Sequence, residues 1–184
     1  VFNELFVGTG DAEFREAAIS ALDRIKALSQ PLGAGVGWIE ENPFGAYSPQ
    51  NTNVGEMYDL TIGAAGAGLT FLYARKAGLD PEGLNWAVKI GDRLLETAEP
   101  TEDGLRWPMM DKLPGFYIMP NFSHGPAGIA YFLTDLYRAT NEPKYLDAAI
   151  SAAKYVQSRA VTKGEGVLVP HDETPEPADL YYLS

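Results

Sequence analysis

The sequence predicts an all-α fold, an α/α toroid in which helices alternate between an inner and an outer layer, present here as an incomplete ring. Apolar helices alternate with amphipathic ones, short extended turns follow each pair, and this pattern recurs with a period of 62 residues. Self-similarity at a fixed period is the signature of a repeat architecture. The period joins four pairs of like residues: Gly66 and Gly128, Pro81 and Pro143, Ala87 and Ala149, and Pro108 and Pro170.

The first part of the pattern covers about residues 11–43, which we interpret as the second half of a repeat. It opens with a stretch that places apolar side chains on one face and charges opposite, so it predicts a surface helix with Asp11 as its N-cap. The glycine-rich stretch GAGVGWIEENPFG then predicts a short strand or hairpin that ends at Pro43. In this stretch Trp38 corresponds to Trp107 of the next repeat.

The second repeat, about residues 58–110, begins with a stretch that carries no charge between positions 60 and 74. A helix that is apolar all round is a buried one, so we expect an inner helix here. The tripeptide DPE (80–82) combines a capping residue, a proline at the first helical position and an acid, which predicts the start of a half-exposed outer helix. The segment GLRWPMM (104–110) predicts another extended piece.

The third repeat, about residues 121–170, has the same order of elements. Alternating buried and half-exposed helices suit a two-layer toroid, and an open superhelical solenoid would give a similar period. The glycine and alanine content of the inner helices favours the toroid, because small residues let helices crowd around an axis. We therefore expect residues 1–184 to form a single domain of about two and a half repeats, which is less than a closed ring needs.

The composition argues against several classes of partner. The chain has 25 acidic and 14 basic residues and a net charge of −11. Nucleic acids and anionic membranes require a basic face, so we expect neither as a partner. No stretch approaches about 18 consecutive apolar residues, which predicts no membrane span. The first residues lack an initiating Met and the layout of a signal peptide, so we expect a cytoplasmic protein whose chain is entered midway.

The chain resembles the lanthionine synthetase C-like family in two segments, YDLTIGAAGAG and, one period later, NFSHGPAGIAYFLTDLYRATNEPKYLDAA. The combination of HG-x-AG-I with LY-x-AT-x-x-P-x-YL-x-AA carries the resemblance, whereas a GxxG alone would carry little. It covers the chain from about Asp11 onward and only about the first half of the family's barrel. It implies an α/α toroid and a cyclase-type activity, the Michael addition of a peptide cysteine thiolate to dehydroalanine or dehydrobutyrine.

The resemblance implies acid/base roles for two residues of this chain. In the family, a histidine that opens an HGxxG helix and an aspartate in a YD-x-x-x-G-x-x-G element act as acid/base groups, and the matching positions are His124 and Asp59. Both precede inner helices, so a toroid would point them into one central mouth. A histidine suits the protonation of the enolate that the addition produces. We take Trp107 and Tyr58 as the candidate substrate-binding residues.

The resemblance also implies Zn²⁺ in the full-length family, where two cysteines and a histidine from later repeats hold it. Such a zinc ion would deprotonate the substrate thiol at neutral pH. This chain contains no cysteine, and one period beyond His124 falls at position 186, past Ser184. We therefore expect these residues to bind no metal or other cofactor, and we expect truncation rather than a metal-free variant.

Simpler interpretations of the same residues stay open. Asp59 before an apolar helix is typical of an N-cap, and His124 at a helix start is typical of a capping or packing residue. The tryptophans either stack on a substrate or anchor the extended turns to the core. His171, in the segment VPHDE, is expected in a solvated loop or at the mouth. A phosphate cradle or close helix packing would explain four glycines, and their apolar setting favours packing: Gly63, Gly66, Gly125 and Gly128.

Two other functions compete with the cyclase. One is a glycoside hydrolase or sugar epimerase on an α/α barrel, in which Asp59 pairs with Glu40, Glu41 or His124; its carboxyl groups would lie about 5 to 9.5 Å apart. The other is a non-catalytic toroid that binds a peptide or glutathione. The expected partners are a peptide substrate or a small thiol, together with the missing second half of the toroid or another chain that covers the open edge.

Overall fold

A computed structural model describes residues 1–41, 54–110 and 118–173. These residues are mostly helical, and the predicted class, an incomplete α/α toroid of the all-α kind, is confirmed. Asp11 is the N-cap of the second helix, as expected, since its side chain accepts a hydrogen bond from the backbone of Glu13. The helices are α1 (Phe2–Thr9), α2 (Ala12–Leu28), α3 (Ala64–Lys76), α4 (Gly83–Thr97), α5 (Pro126–Thr140) and α6 (Pro143–Arg159).

The helices form pairs, each made of an inner helix and the outer helix that follows it. Helix α1 packs on α2, α3 on α4 and α5 on α6, while α3 and α5 lie against each other in the inner layer. One hydrophobic core runs through these contacts and includes Phe71, Ile90, Phe132 and Leu136, all fully buried. The loops that precede α3 and α5 therefore lie at the same end of the inner layer.

The stretches expected to be extended each supply strands of two-stranded antiparallel hairpins, and the strands that pair with them were not expected. In the second and third repeats the strands start 62 positions apart, as the period predicts. A further hairpin joins the end of the first repeat to the segment that leads into the second. The pairs are β1 (Gln30–Leu32) with β2 (Gly35–Gly37), β3 (Ile39–Glu41) with β4 (Val54–Glu56), β5 (Glu99–Thr101) with β6 (Gly104–Arg106), and β7 (Val161–Lys163) with β8 (Gly166–Leu168).

Each of the first two repeat hairpins packs against the outer helix of the next repeat, β2 on α4 and β6 on α6. The approach is so close that a Cβ on Gly35 would lie 1.9 Å from the carbonyl oxygen of Lys89, and one on Gly104 would lie 2.1 Å from that of Ser151. Glycine is therefore required at both positions. Val167 in β8 is 68% exposed, since no described helix covers the third hairpin in this way.

Trp38 and Trp107 anchor their repeats in the same way. The indole nitrogen of Trp38 donates to the carbonyl of Ile25 at 2.9 Å, and that of Trp107 donates to the carbonyl of Leu94 at 2.8 Å. In both repeats the tryptophan lies 13 residues beyond its acceptor. Each ring thus ties the chain that follows a hairpin to the end of the preceding outer helix.

Two expectations about elements are corrected. The inner helices are not buried on all sides: Tyr73 is 40% and Tyr131 39% exposed, so each inner helix has a face that no described element covers. Helix α4 begins at Gly83 rather than at Pro81, since the backbone of Glu82 donates to Asp80 and makes DPE a turn before the helix. Helix α1 was not expected from its short sequence.

Pro43, where the first extended stretch was expected to end, lies outside the described residues. Within the described residues, no helix combines the length and the apolar character needed to cross a bilayer.

Candidate functional site

Asp59 and His124 are in direct contact at the shared end of the inner layer. Nδ1 of His124 lies 2.9 Å from Oδ2 of Asp59. The two loops that carry them run side by side, because both the backbone nitrogen and the hydroxyl of Thr61 donate to the carbonyl of Ser123, at 3.3 and 3.1 Å. The two residues were expected to open into one shared mouth, and the structure places them in a hydrogen-bonded pair.

The carboxyl group of Asp59 is fully buried and has a partner for each oxygen. Oδ1 accepts the backbone N–H of Ile62 at 2.7 Å, and Oδ2 faces the imidazole of His124. A carboxylate can only accept hydrogen bonds, so the proton of the second contact belongs to Nδ1. Nε2 is then the ring nitrogen that can meet a substrate, and the side chain of His124 is 26% exposed. Asp59 thus orients the imidazole ring, and His124 leaves Nε2 of that ring available to a substrate.

Asp59 caps a turn and not a helix. The N-cap of α3 is Gly63, and the backbone groups of the first helical turn, Ala64, Ala65 and Gly66, donate to the carbonyls of Met57, Tyr58 and Asp59. These N–H groups are therefore taken up by the chain itself. A phosphate cradle at the start of α3 is excluded on this ground, because such a site needs free N–H groups.

The glycines before and within α3 and α5 make room for the same loops. A Cβ on Gly66 would lie 2.1 Å from the carbonyl oxygen of Leu60, and one on Gly128 would lie 2.1 Å from that of Phe122. These contacts are 62 positions apart, so both loops fold back over their helices in the same way. The glycines mainly admit the chain's own loop, where contacts between helices had been expected.

The segment that leads to Asp59 is held on three sides. Strand β4 pairs with β3, and the carboxylate of Glu56, 2% exposed, forms hydrogen bonds and an ion pair with Arg93 of α4. The hydrogen bond to Glu56 raises the pKa of Arg93 further above its ordinary value. Next along the chain, Tyr58 donates its backbone N–H to the carbonyl of Met109 at 3.2 Å. The backbone on both sides of Tyr58 is therefore fixed.

His124 is held through Asn121, a residue that the sequence analysis missed. Oδ1 of Asn121 accepts the backbone N–H of His124 at 2.9 Å, and Nδ2 donates to the carbonyl of His171 at 3.1 Å. The segment that carries His171 is itself attached, since Glu173 donates its backbone N–H to the carbonyl of Ile118. The available signal was the repeat, which places Asn121 62 positions after Asp59.

Trp107 and Tyr58 do not offer a surface to a substrate. They are 0% and 3% exposed, and the ring of Trp107 is occupied with its anchoring role. Their burial does not fit the substrate-binding role expected from the sequence. The side chain of His171 is 26% exposed and its Nδ1 lies 3.3 Å from a carboxylate oxygen of Asp172, so it is neither buried nor fully solvated.

A cleft of about 350 Å³ lies beside the start of α3. Trp38, Glu40 and Ile62 are among its lining residues, and neither Asp59 nor His124 lines it. The cleft is also lined by Leu60 and Thr61, which follow Asp59 in the loop that leads into α3. The side chain of Glu41, another candidate of the sugar-processing hypothesis, lies outside the described part of the chain.

The residues of this chain do not fit the zinc site that the resemblance implies. The sequence has no cysteine, and the described residues contain no group of three or more His, Cys, Asp or Glu side chains suited to a metal ion. Within the described residues, the chemistry of this site rests on the Asp59–His124 pair.

Comparison with protein families identifies the family of the chain. Residues 13–173 match the family model described as lanthionine synthetase C-like protein. No match to the chain was found among curated proteins.

Proposed function

Because the chain belongs to the lanthionine synthetase C-like family, we propose that its Asp59–His124 pair transfers the proton in a cyclase-type reaction. In that reaction a peptide cysteine thiolate adds to dehydroalanine or dehydrobutyrine and closes a thioether ring. The single observation that supports the proposal is the 2.9 Å contact between a fully buried carboxylate and a histidine that is still partly open to solvent.

The chemistry of the addition asks for one proton at a defined place. The thiolate sulfur bonds to the β-carbon, the electron pair of the double bond moves toward the carbonyl, and an enolate forms. When the enolate collapses, the α-carbon takes a proton. A histidine positioned as a general acid performs such a transfer well, and the imidazolium of His124 can donate from Nε2.

The contact with Asp59 suits this task because it does not change during the transfer. Nδ1 carries a proton in both the imidazolium and the neutral tautomer that the contact selects. Nε2 can therefore lose and regain its proton while the ring keeps its orientation. A carboxylate that orients an imidazole in this way is a recurring arrangement in enzymes. The activation of the thiol is a separate step to which the proposal assigns no residue.

The competing functions find less support. A glycosidase requires two carboxyl groups that reach the sugar, but Asp59 is 0% exposed and both its oxygens are engaged. The non-catalytic toroid predicts no His–Asp constellation, and the described residues contain one. The Asp59–His124 pair thus favours the cyclase-type reaction over both.

The test uses the native gene product and a dehydrated peptide that carries one cysteine, with ring closure followed as loss of the free thiol. H124N should lower kcat about 100- to 10,000-fold, because it removes the general acid, and should change KM little. H171N is the matched control: it replaces the chain's other histidine, which has the same exposure and also faces an aspartate, and it should keep the wild-type kcat. A wild-type kcat for H124N at equal metal content would refute the proposal.

A further inference from the structure

We infer that Asn121 is a positioning residue for His124, and that it couples the histidine to the segment after the third hairpin, residues 169–173. The inference deepens the proposed function, on which the role of His124 rests. It follows from the repeat, from the hydrogen bonds of one buried amide and from the attachments of that segment.

The repeat makes Asn121 the counterpart of Asp59. Both residues accept the backbone N–H of the residue three positions later through Oδ1, Ile62 at 2.7 Å for Asp59 and His124 at 2.9 Å for Asn121. The same turn is thus built twice, before α3 and before α5. The turn of Asn121 sets the backbone of the residue that carries the imidazole.

The two turns differ in the second polar atom of the side chain, Oδ2 in Asp59 and Nδ2 in Asn121. In Asp59 this atom is an acceptor, and it accepts the N–H of His124 Nδ1. In Asn121 it is a donor, and it donates an N–H to the carbonyl of His171. The two bonds also fix which atom of the amide is oxygen, since only the oxygen can accept from His124 and only the nitrogen can donate to His171. An aspartate at 121 would direct an oxygen at the carbonyl oxygen.

Asn121 is 5% exposed, so its two bonds are not readily replaced by water. A buried donor or acceptor that loses its partner is costly, and this makes the geometry of both partners depend on the amide. Asn121 therefore acts on the imidazole indirectly, through the backbone of His124, and does not touch the reacting atoms.

The segment at the other end of the amide is firmly attached. The carboxylate of Glu173 accepts the hydroxyl of the buried Tyr155 and forms ion pairs with Arg106 and Arg159. Its backbone N–H bonds to the carbonyl of Ile118, three residues before Asn121. Glu173 thus joins helix α6, the β5–β6 hairpin and residues 118–124. Asn121 links this group to His124 through its hydrogen bond to the backbone of His124.

The test is ¹⁵N NMR of histidine-labelled protein combined with kinetics of the native gene product. The resonances lost in H124N and in H171N identify the two rings, and H171N keeps the backbone carbonyl that Asn121 contacts. At a pH at which the ring is neutral, the wild-type spectrum should show His124 with a protonated Nδ1 and a bare Nε2. In N121A the two nitrogens should approach averaged shifts, and kcat should fall at least tenfold with KM little changed.

N121D separates the two bonds of the amide. It keeps an acceptor for His124, so the tautomer should be retained, but it loses the donor to His171, so the amide of Glu173 should exchange faster with solvent. T101A, which removes the side-chain bonds of Thr101 in the turn of the β5–β6 hairpin, should leave both imidazoles unchanged. A folded N121A with wild-type His124 shifts and kcat would overturn the inference.

If N121A does not fold, N121D decides alone, and wild-type exchange at Glu173 would overturn the coupling. The NMR result does not depend on catalysis. An active H124N would refute the proposed function and leave the positioning of the ring to be judged from the spectra, whereas an inactive H124N together with unchanged N121A spectra would refute the positioning alone.

Discussion

At the scale of single residues, the candidate site depends on how many acceptors one buried side chain supplies. Asp59 serves two N–H groups, from Ile62 and from His124. In D59N only one oxygen remains. If it stays with Ile62, the new amide donates to Nδ1 and forces the proton of the ring onto Nε2.

D59N should therefore invert the tautomer of His124 and lower kcat about 100- to 10,000-fold, at a cost in stability of about 1 kcal/mol. ¹⁵N shifts of the ring report the tautomer, and a thermal melt reports the stability. The wild-type tautomer in a folded D59N would show that the carboxylate does not orient the ring.

At the scale of elements, the two tryptophans give a matched pair. Trp107 is fully buried and Trp38 only partly, although both bond a carbonyl at the end of an outer helix. W107F should lower the free energy of unfolding by about 2–3 kcal/mol, because it leaves a void and removes a donor from the carbonyl of Leu94. W38F should cost about 1 kcal/mol. Urea unfolding of both variants tests this, and equal costs would contradict the burial argument.

At the scale of the whole molecule, stability should fall in alkaline solution. Burial, and then the hydrogen bond to Glu173, raise the pKa of Tyr155 to about 12. Between about pH 10 and 12 the unfolded chain has lost the hydroxyl proton of Tyr155 while the folded chain retains it. The stabilisation that this group contributes is therefore complete below about pH 10 and is lost as the pH rises toward 12. Y155F should remove about 2 kcal/mol of this pH dependence. Urea unfolding measures the free energy of unfolding of both proteins between pH 9 and 12. If this free energy falls with pH as steeply in Y155F as in the wild type, the role of Tyr155 is contradicted.

The repeat made most of this molecule predictable, because an inner and an outer helix differ in charge along the sequence. It also gave the match between Trp38 and Trp107, and it placed His124 and Asp59 at one end of adjacent inner helices. The repeat could not predict the direct contact between His124 and Asp59, since this contact depends on Thr61 joining the two loops. Burial of Trp107 and Tyr58 was missed because a ring suited to stacking is equally suited to a core. Asn121 was missed although the repeat places it 62 positions after Asp59, because its bond to the carbonyl of His171 joins residues 50 positions apart.

The most direct test of the central claim follows the proton that reaches the α-carbon during ring closure. The native gene product is given the dehydrated peptide in deuterium oxide, and the configuration and deuterium content at the α-carbon are measured. If His124 delivers the proton, the wild type should give one configuration with one deuterium, and H124N should react slowly and give a mixture. A single configuration formed by H124N at the wild-type rate would contradict the account.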